Sequence, residues 1–169
     1  MDALEALMTR RSVRAYTDEP VSDEQVQTIL AAGMQAPSAN NRQPWHFVVL
    51  RQRERLDALA EVLPFGKMLR QAPLGIVVCA DAGLQPNAGY WAQDCAAVTE
   101  NILLACHALG LGAVWIGVYP REERVMALRE LLTLPAAVTP LCAIAIGQPA
   151  EHSAPVDRFR PDRIHEAQW

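Results

Sequence analysis

The stretch from Tyr90 to Leu109 limits this chain more than any other. It is long enough for a single helix, apolar on most of its circumference, and followed by Gly110, the residue type that most readily takes the left-handed turn closing a helix. Such a run either crosses a membrane or lies at the centre of a core. Gln93, Asp94, Glu100, Asn101 and His107 interrupt it, and each ionisable group would be costly against lipid. The run therefore reads as a central helix enclosed on several sides, in part by a second copy of the chain.

Shorter elements surround it. Asp2 with Glu5 resembles a capping pair, and Leu4, Leu7 and Met8 recur at helical spacing, which predicts a short amphipathic first helix. Ser22 with Gln25 forms a capping box, with Val21 and Val26 spaced as its hydrophobic staple and Val26, Ile29, Leu30 and Met34 as a buried stripe that Pro37 ends. Trp45 to Leu50 reads as a strand, Leu56, Leu59, Ala60 and Leu63 as a helical face stopped by Pro64, and Leu74 to Ala80 as a buried strand. Ala113 to Val118 and Leu141 to Gly147 are two more strands, separated by a helix with Val125, Leu128, Leu131 and Leu132 on one face. Helices and strands thus interleave around one core. No repeat, low-complexity segment or Gly/Ser linker divides the chain, so 1–169 reads as a single domain. Its last stretch, 150–169, is polar, carries Pro155 and Pro161 and ends on Trp169, and is expected to lie as an arm against a partner.

Composition narrows the function. The 169 residues are 51% hydrophobic and 20% charged, enough to bury one sizeable core. A net charge of -4 argues against nucleic-acid binding, which needs a broad positive field. Cys79, Cys95, Cys106 and Cys142 lie far apart inside apolar runs and form no CxxC pair, which fits buried free thiols in a reducing compartment. Asp2 and Glu5 stand where a secretory leader would be basic, so a cytoplasmic protein is expected, neither bound to membrane nor to nucleic acid. His46, His107, His152 and His165 show no metal-binding spacing.

Two constellations carry chemistry. If the segment after the first helix is extended, Arg10, Ser12 and Arg14 alternate onto one side beside Arg11, so guanidinium groups and a hydroxyl converge on one anion such as a phosphate. The competing reading is a solvated basic helix end that complements the helix dipole. The second constellation is the loop Pro37-Ser38-Ala39-Asn40-Asn41-Arg42-Gln43-Pro44, in which two prolines stiffen the ends and Ser38, Asn41 and Gln43 both donate and accept. It suits the donor and acceptor edge of a heterocycle, or it is an ordinary connecting turn. Gly110-Leu111-Gly112 ends a helix instead of following a strand and lacks a third glycine, which excludes a dinucleotide fingerprint. Trp91 and Trp115 read as core or interface aromatics, and Asp94 and Glu100 as paired structural groups or cap partners.

Together the two constellations resemble the nitroreductase family, which carries an Arg-x-Ser-x-Arg-like element followed by a Pro-Ser-x-x-Asn-x-Gln-Pro-Trp element. Here these are Arg10 to Arg14 and Pro37 to Trp45, and the likeness continues in Lys67-Met68-Leu69, in Asn101 to Gly112, in Trp115-Ile116-Gly117, in Asp157-Arg158-Phe159 and in Ile164-His165. The resemblance implies an α+β three-layer sandwich, a central mixed sheet flanked by helices, in an intertwined homodimer with one FMN in each of two interface clefts. By the same resemblance Arg10, Arg11, Ser12 and Arg14 bind the FMN phosphate and nearby polar groups, and Arg158 reaches in from the tail. Pro37, Ser38, Ala39, Asn41 and Gln43 come from the other subunit. The backbone at Ile116 and Gly117 runs beside flavin N5, and Lys67 sits near N1 and the C2 carbonyl, or is an exposed helix lysine.

The implied reaction passes hydride from NADH or NADPH through flavin N5 to a nitroaromatic, a quinone or a related electron-poor acceptor, with ping-pong kinetics. The flavin does the chemistry, so few catalytic side chains are required. The chain lacks the extra helices that roof the cleft in larger members and their Pro-x-Glu-Gly-Phe type of segment, which implies an open acceptor site. Two other readings keep the same residues: an FMN-binding, storage or delivery protein with little turnover, and a flavin-free structural dimer.

Overall fold

The computed structural model describes every residue except His152, Ser153 and Pro155, and of Ala88 only the backbone. His152, among the histidines above, and Pro155, in the tail, thus lie outside the described residues. The helices are α1 (Ala3–Thr9), α2 (Asp23–Met34), α3 (Arg53–Val62), α4 (Ala88–Ala108) and α5 (Glu122–Leu132), and the strands β1 (Trp45–Leu50), β2 (Leu74–Asp81), β3 (Gly112–Gly117) and β4 (Val138–Gly147).

The strands form a sheet in the order β1-β2-β4-β3. Every neighbouring pair is antiparallel, so the expected mixed sheet is reduced to one parallel bridge, Ser12 to Ala113. The connections explain this. The segment from Arg51 to Pro73 leaves and re-enters the sheet at one end, because Leu50 closes opposite Gly75. A parallel neighbour would need a crossover to the other end. At Pro140, which has no N–H to give the ladder, the pairing of β2 with β4 slips by one residue.

Alternation along the strands separates two cores. Ile76, Val78, Cys142, Ile144 and Ile146 face α2 and α4, where they meet Val26, Ile29, Val98 and Ile102. Val77, Cys79, Ala143, Ala145, Val114 and Ile116 face α3 and α5, where they meet Leu56, Leu59 and Leu128. A helix layer on each side of the sheet makes the three-layer sandwich.

Local signals set the ends of the helices. Asp2 accepts the Glu5 N–H at 2.8 Å, and the Ser22–Gln25 box closes with bonds of 2.9 and 3.1 Å. Gly110, with φ of 78°, turns the chain out of α4 and lets Leu111 N–H reach the Cys106 carbonyl at 2.8 Å. No described helix is long and apolar enough to cross a membrane.

The periodicity reads correctly along the central helix and less well at the margins. In α4, Trp91, Cys95, Val98, Ile102 and Cys106 are buried, as the central position requires. In α1 only Ala6 is buried, while Leu4, Leu7 and Met8 are all more than half exposed. Met34 of the expected α2 stripe is also turned outward, as are Val156, Phe159, Ile164 and Trp169 of the tail. Those of α1 and α2 repeat with the period of buried residues, and none of these side chains is covered by the described residues of its own chain.

Candidate functional site

β3 is an edge strand, and its outer edge organises the site. The Ala113 carbonyl accepts from Val13 N–H at 3.0 Å, away from β4. Because backbone polar groups alternate sides along an antiparallel strand, Trp115 and Gly117 also turn theirs outward. Arg124 Nη1 takes the Gly117 carbonyl at 2.9 Å. Trp115 N–H and C=O and Gly117 N–H remain on the open edge, without a backbone partner among the described residues. Beside them lies a cavity of about 610 Å³, lined by Val114 to Gly117 and, across from the strand, by Arg14, Pro64, Phe65, Lys67 and Met68.

The lining suits a flat, polar-edged and anionic ligand. A Cβ built on Gly117 meets nothing within 4 Å, so nothing in the chain itself requires glycine there. Gly117 itself is among the residues that line the cavity. Met68, Val114 and Ile116 supply apolar surface, Arg14 and Lys67 supply charge, and the strand edge supplies donors and an acceptor in register. Arg14 is exposed and its guanidinium makes no ion pair with a described residue. These features fit a phosphorylated heterocycle better than a wholly apolar ligand.

Of the residues singled out in the sequence, Arg14, Lys67, Ile116 and Gly117 meet at this cavity. Arg10 and Arg11 line a separate hollow of about 250 Å³ with Thr9, His107 and Glu151. Arg10 pairs with Glu100 of α4 at 3.2 Å. Arg11 donates to the carbonyls of Met8 and Arg10 and, on the tail, of Ala154 and Val156. Ser12 is exposed beside its bridge to Ala113, and Arg158 stands on the exposed tail. Pro37, Ser38, Ala39, Asn41 and Gln43 border neither cavity.

That loop is nevertheless a built structure. Asn40, Asn41 and Gln43 all hold positive φ, a conformation with a cost for side-chain-bearing residues. Ser38 Oγ accepts Gln43 N–H at 3.0 Å, Gln43 Nε2 donates to Asn41 Oδ1 at 2.8 Å, and Asp94 of α4 accepts Ala39 N–H at 2.8 Å. Asp94 is buried and also accepts from Gln85 at 3.2 Å. The loop thus presents a fixed polar outline from the α4 side.

The Nitroreductase family model matches residues 7–67 and 58–148, which reach from the end of α1 and the arginine segment through the whole of β4. The chain belongs to the nitroreductase family. A relative from Methanothermobacter thermautotrophicus, named as a candidate NADH dehydrogenase/NAD(P)H nitroreductase, is 50% identical over 100% of this chain and 88% of its own length. A crystal structure from Parabacteroides distasonis, described in the same terms, superposes with a TM-score of 0.94 at 42% identity, covering 98% of each chain. A candidate nitroreductase from Desulfovibrio desulfuricans, solved in complex with FMN, gives a TM-score of 0.86 at 38% identity over 100% of this chain and 99% of its own.

In this family member several site residues escape notice in the sequence. Trp115, named in the Trp115-Ile116-Gly117 likeness and read as a core or interface aromatic, is 36% exposed in one chain and lines the cavity, whereas Trp91 is in the core and meets Tyr119 edge-on at 4.6 Å. Phe65 and Arg124 belong to no motif. Phe65 follows a helix-stopping proline and Arg124 lies in an ordinary amphipathic helix; only their stacking, with the guanidinium 5.4 Å from the ring centroid, brings them to the site. Asp94 and Glu100 do have structural partners, Ala39 and Arg10, as their places in α4 allowed.

Burial controls the nearby titrations. Tyr16 anchors the arginine segment to β4 by donating to the Ala145 carbonyl at 3.0 Å, and burial raises its phenol well above the usual range. His107 accepts from or donates to Thr9 Oγ1 at 2.8 Å. Burial, then the Arg10 charge, lowers its pKa and favours the neutral ring. No group of three or more His, Cys, Asp or Glu side chains among the described residues is placed to hold a metal ion.

Proposed function

We propose that this protein is an NAD(P)H-dependent FMN oxidoreductase that reduces nitroaromatics, quinones or similar electron-poor acceptors as a homodimer with two interfacial flavin sites. The observation that carries the reading is the convergence of Arg14, Lys67 and the free edge of β3 on one cavity beside an unobstructed glycine. FMN, when bound, supplies the centre that takes hydride from the nicotinamide and gives it to the acceptor.

The chain's own residues bind, orient and exclude water. Lys67 and Arg14 place positive charge where a reduced, electron-rich ring is stabilised by it. Trp115 and Gly117 offer edge groups that orient a heterocycle, while Met68, Val114 and Ile116 keep that face dry. The segment carrying Arg10, Arg11 and Ser12 leads directly to Arg14, and together with Arg158 it is assigned the phosphate. The loop with Pro37, Ser38, Ala39, Asn41 and Gln43 is assigned to the cleft of a second copy. Two features support that assignment: the loop's fixed outline, and the apolar side chains on α1 and the tail that one copy leaves uncovered. Nicotinamide and acceptor then use the same open cleft in turn, which gives ping-pong kinetics.

The test begins with the absorbance spectrum of the purified protein and proceeds to NADH and NADPH oxidation with a quinone. Bound flavin and parallel double-reciprocal lines are expected, and Arg14→Ala should weaken FMN binding by about 1.5–3 kcal/mol if it bonds the phosphate. A colourless protein that does not quench FMN fluorescence would overturn the reading. Bound flavin with negligible turnover at saturating nicotinamide would support storage or delivery instead.

A further inference from the structure

Phe65 is the more exposed of the two aromatics on the wall of the cavity, and its own chain holds it by little. The backbone beneath it is fixed: Pro64 ends the preceding helical stretch, and Gly66 N–H closes a turn onto the Leu63 carbonyl at 2.8 Å. A Cβ on Gly66 would come within 2.9 Å of Leu63 Cβ, so this close turn requires glycine. The Phe65 ring, however, is 71% exposed. Rotation about its side-chain bonds would carry it into or away from the cavity at small cost, unless something outside the turn restrains it.

Arg124 provides the restraint. Its guanidinium carbon lies 5.4 Å from the Phe65 ring centroid, and its Nη1 is tied to the Gly117 carbonyl at 2.9 Å. One side chain therefore joins the wall of the cavity to its floor. The Arg124 Nε–H is enclosed with no acceptor among the described residues, which is unfavourable. The stacking and the Gly117 bond hold the guanidinium in place despite it.

We propose that Arg124 is a positioning residue that sets the width of the acceptor cleft by clamping Phe65 over the edge of β3, and so favours flat aromatic acceptors over bulky ones. This rests on the cavity being the flavin and acceptor site. Arg124 touches no reacting atom in this role. It acts through the angle of Phe65, and through occupying the Gly117 carbonyl so that only the remaining edge groups of β3 face a ligand.

Two measurements test it, one independent of flavin. The chain has three phenylalanines, Phe47, Phe65 and Phe159, so protein labelled with 4-fluorophenylalanine gives three fluorine resonances, assigned by Phe65→Leu and Phe159→Leu. Arg124→Leu should shift or broaden the Phe65 signal and leave that of the buried-side Phe47 in place, and Arg124→Lys should restore it in part. A Phe65 signal unchanged in Arg124→Leu refutes the clamp. The second measurement compares 1,4-benzoquinone with its 2,6-di-tert-butyl derivative in the holoenzyme. Arg124→Leu should lower the preference for the flat quinone by about fivefold or more, falling on KM more than on kcat. Phe65→Ala should do the same, and the double variant should add nothing to either. Additive effects, or an unchanged preference in an active flavoenzyme, refute control of the acceptor. A shifted Phe65 signal in a protein that never binds flavin would instead reject the oxidoreductase reading, and the acceptor role with it, while leaving the clamp itself observed.

Discussion

Replacing Gly117 by alanine separates what the fold needs from what the ligand needs. Gly117 ends β3 with a φ outside the left-handed region, and an added Cβ meets no atom within 4 Å. Alanine therefore fits the chain without strain, and by restricting the unfolded ensemble it should stabilise the apo-protein by about 0.4–1 kcal/mol. For a domain of this size that is a rise in melting temperature of roughly 1–4 °C. The same methyl is added to a residue that lines the cavity together with Arg14 and Lys67. A flavin packed against this edge has to retreat or tilt, and overpacking of this kind costs about 1–3 kcal/mol. That corresponds to roughly 5- to 150-fold in Kd. The assay is a thermal melt of the apo-protein at fixed concentration, paired with FMN titration followed by flavin fluorescence. Opposite signs are expected: higher stability, weaker binding. A variant that melts higher yet binds FMN as tightly as the parent would show that the open space at Gly117 is not where the cofactor lies.

Other perturbations should move both quantities together or only one. Gly112→Ala sets a Cβ 2.8 Å from Val13 Cβ, on a segment already bonded to Ala113. It should cost about 1–3 kcal/mol in urea unfolding and displace Arg14 enough to weaken FMN as well; unchanged stability would refute the close packing. Asp94→Ala strips the buried acceptor from Ala39 N–H and Gln85, with an expected loss of about 1.5–3 kcal/mol by chemical denaturation and a smaller one for Asp94→Asn. Equal losses for the two would argue that charge, not the bond itself, matters there. Burial pushes the thiols of Cys79, Cys106 and Cys142 up to about 12 from 9.0. Because the folded state holds these protons more tightly than the unfolded chain, their contribution is complete below pH 9 and is lost as pH rises toward 12. The urea midpoint should fall across that window, with thiol labelling tracking unfolding, and a flat midpoint would contradict it.

How far the sequence could be read depended on whether a residue's neighbours lie in the same chain. The interior elements were legible: Trp45 to Leu50 is β1 as its pattern requires, α4 occupies the core, and the Ser22–Gln25 box closes as drawn. Their periodicity is satisfied by contacts within one chain, so pattern and burial agree. The sheet's direction was not legible, since a strand's side-chain alternation is the same whichever way its neighbour runs. At the site, Arg14, Lys67, Ile116 and Gly117 could be named from motifs. Phe65 and Arg124 could not, because their partnership joins a turn to a helix about sixty residues apart and leaves no spacing to recognise. Leu4, Leu7 and Met8 form a third class: their helical spacing says buried, while one chain leaves them exposed, as it does Trp169 at the end of the tail. The arginine segment and the Pro37–Gln43 loop, assigned above to one polar lining, border no common cavity within one chain. Apolar faces without cover and site halves apart from each other are the two features that the homodimer proposed above is invoked to explain. In that proposal a two-fold axis lays α1 and the tail of one copy on the other and brings the loop of one copy to the β3 edge of its twin.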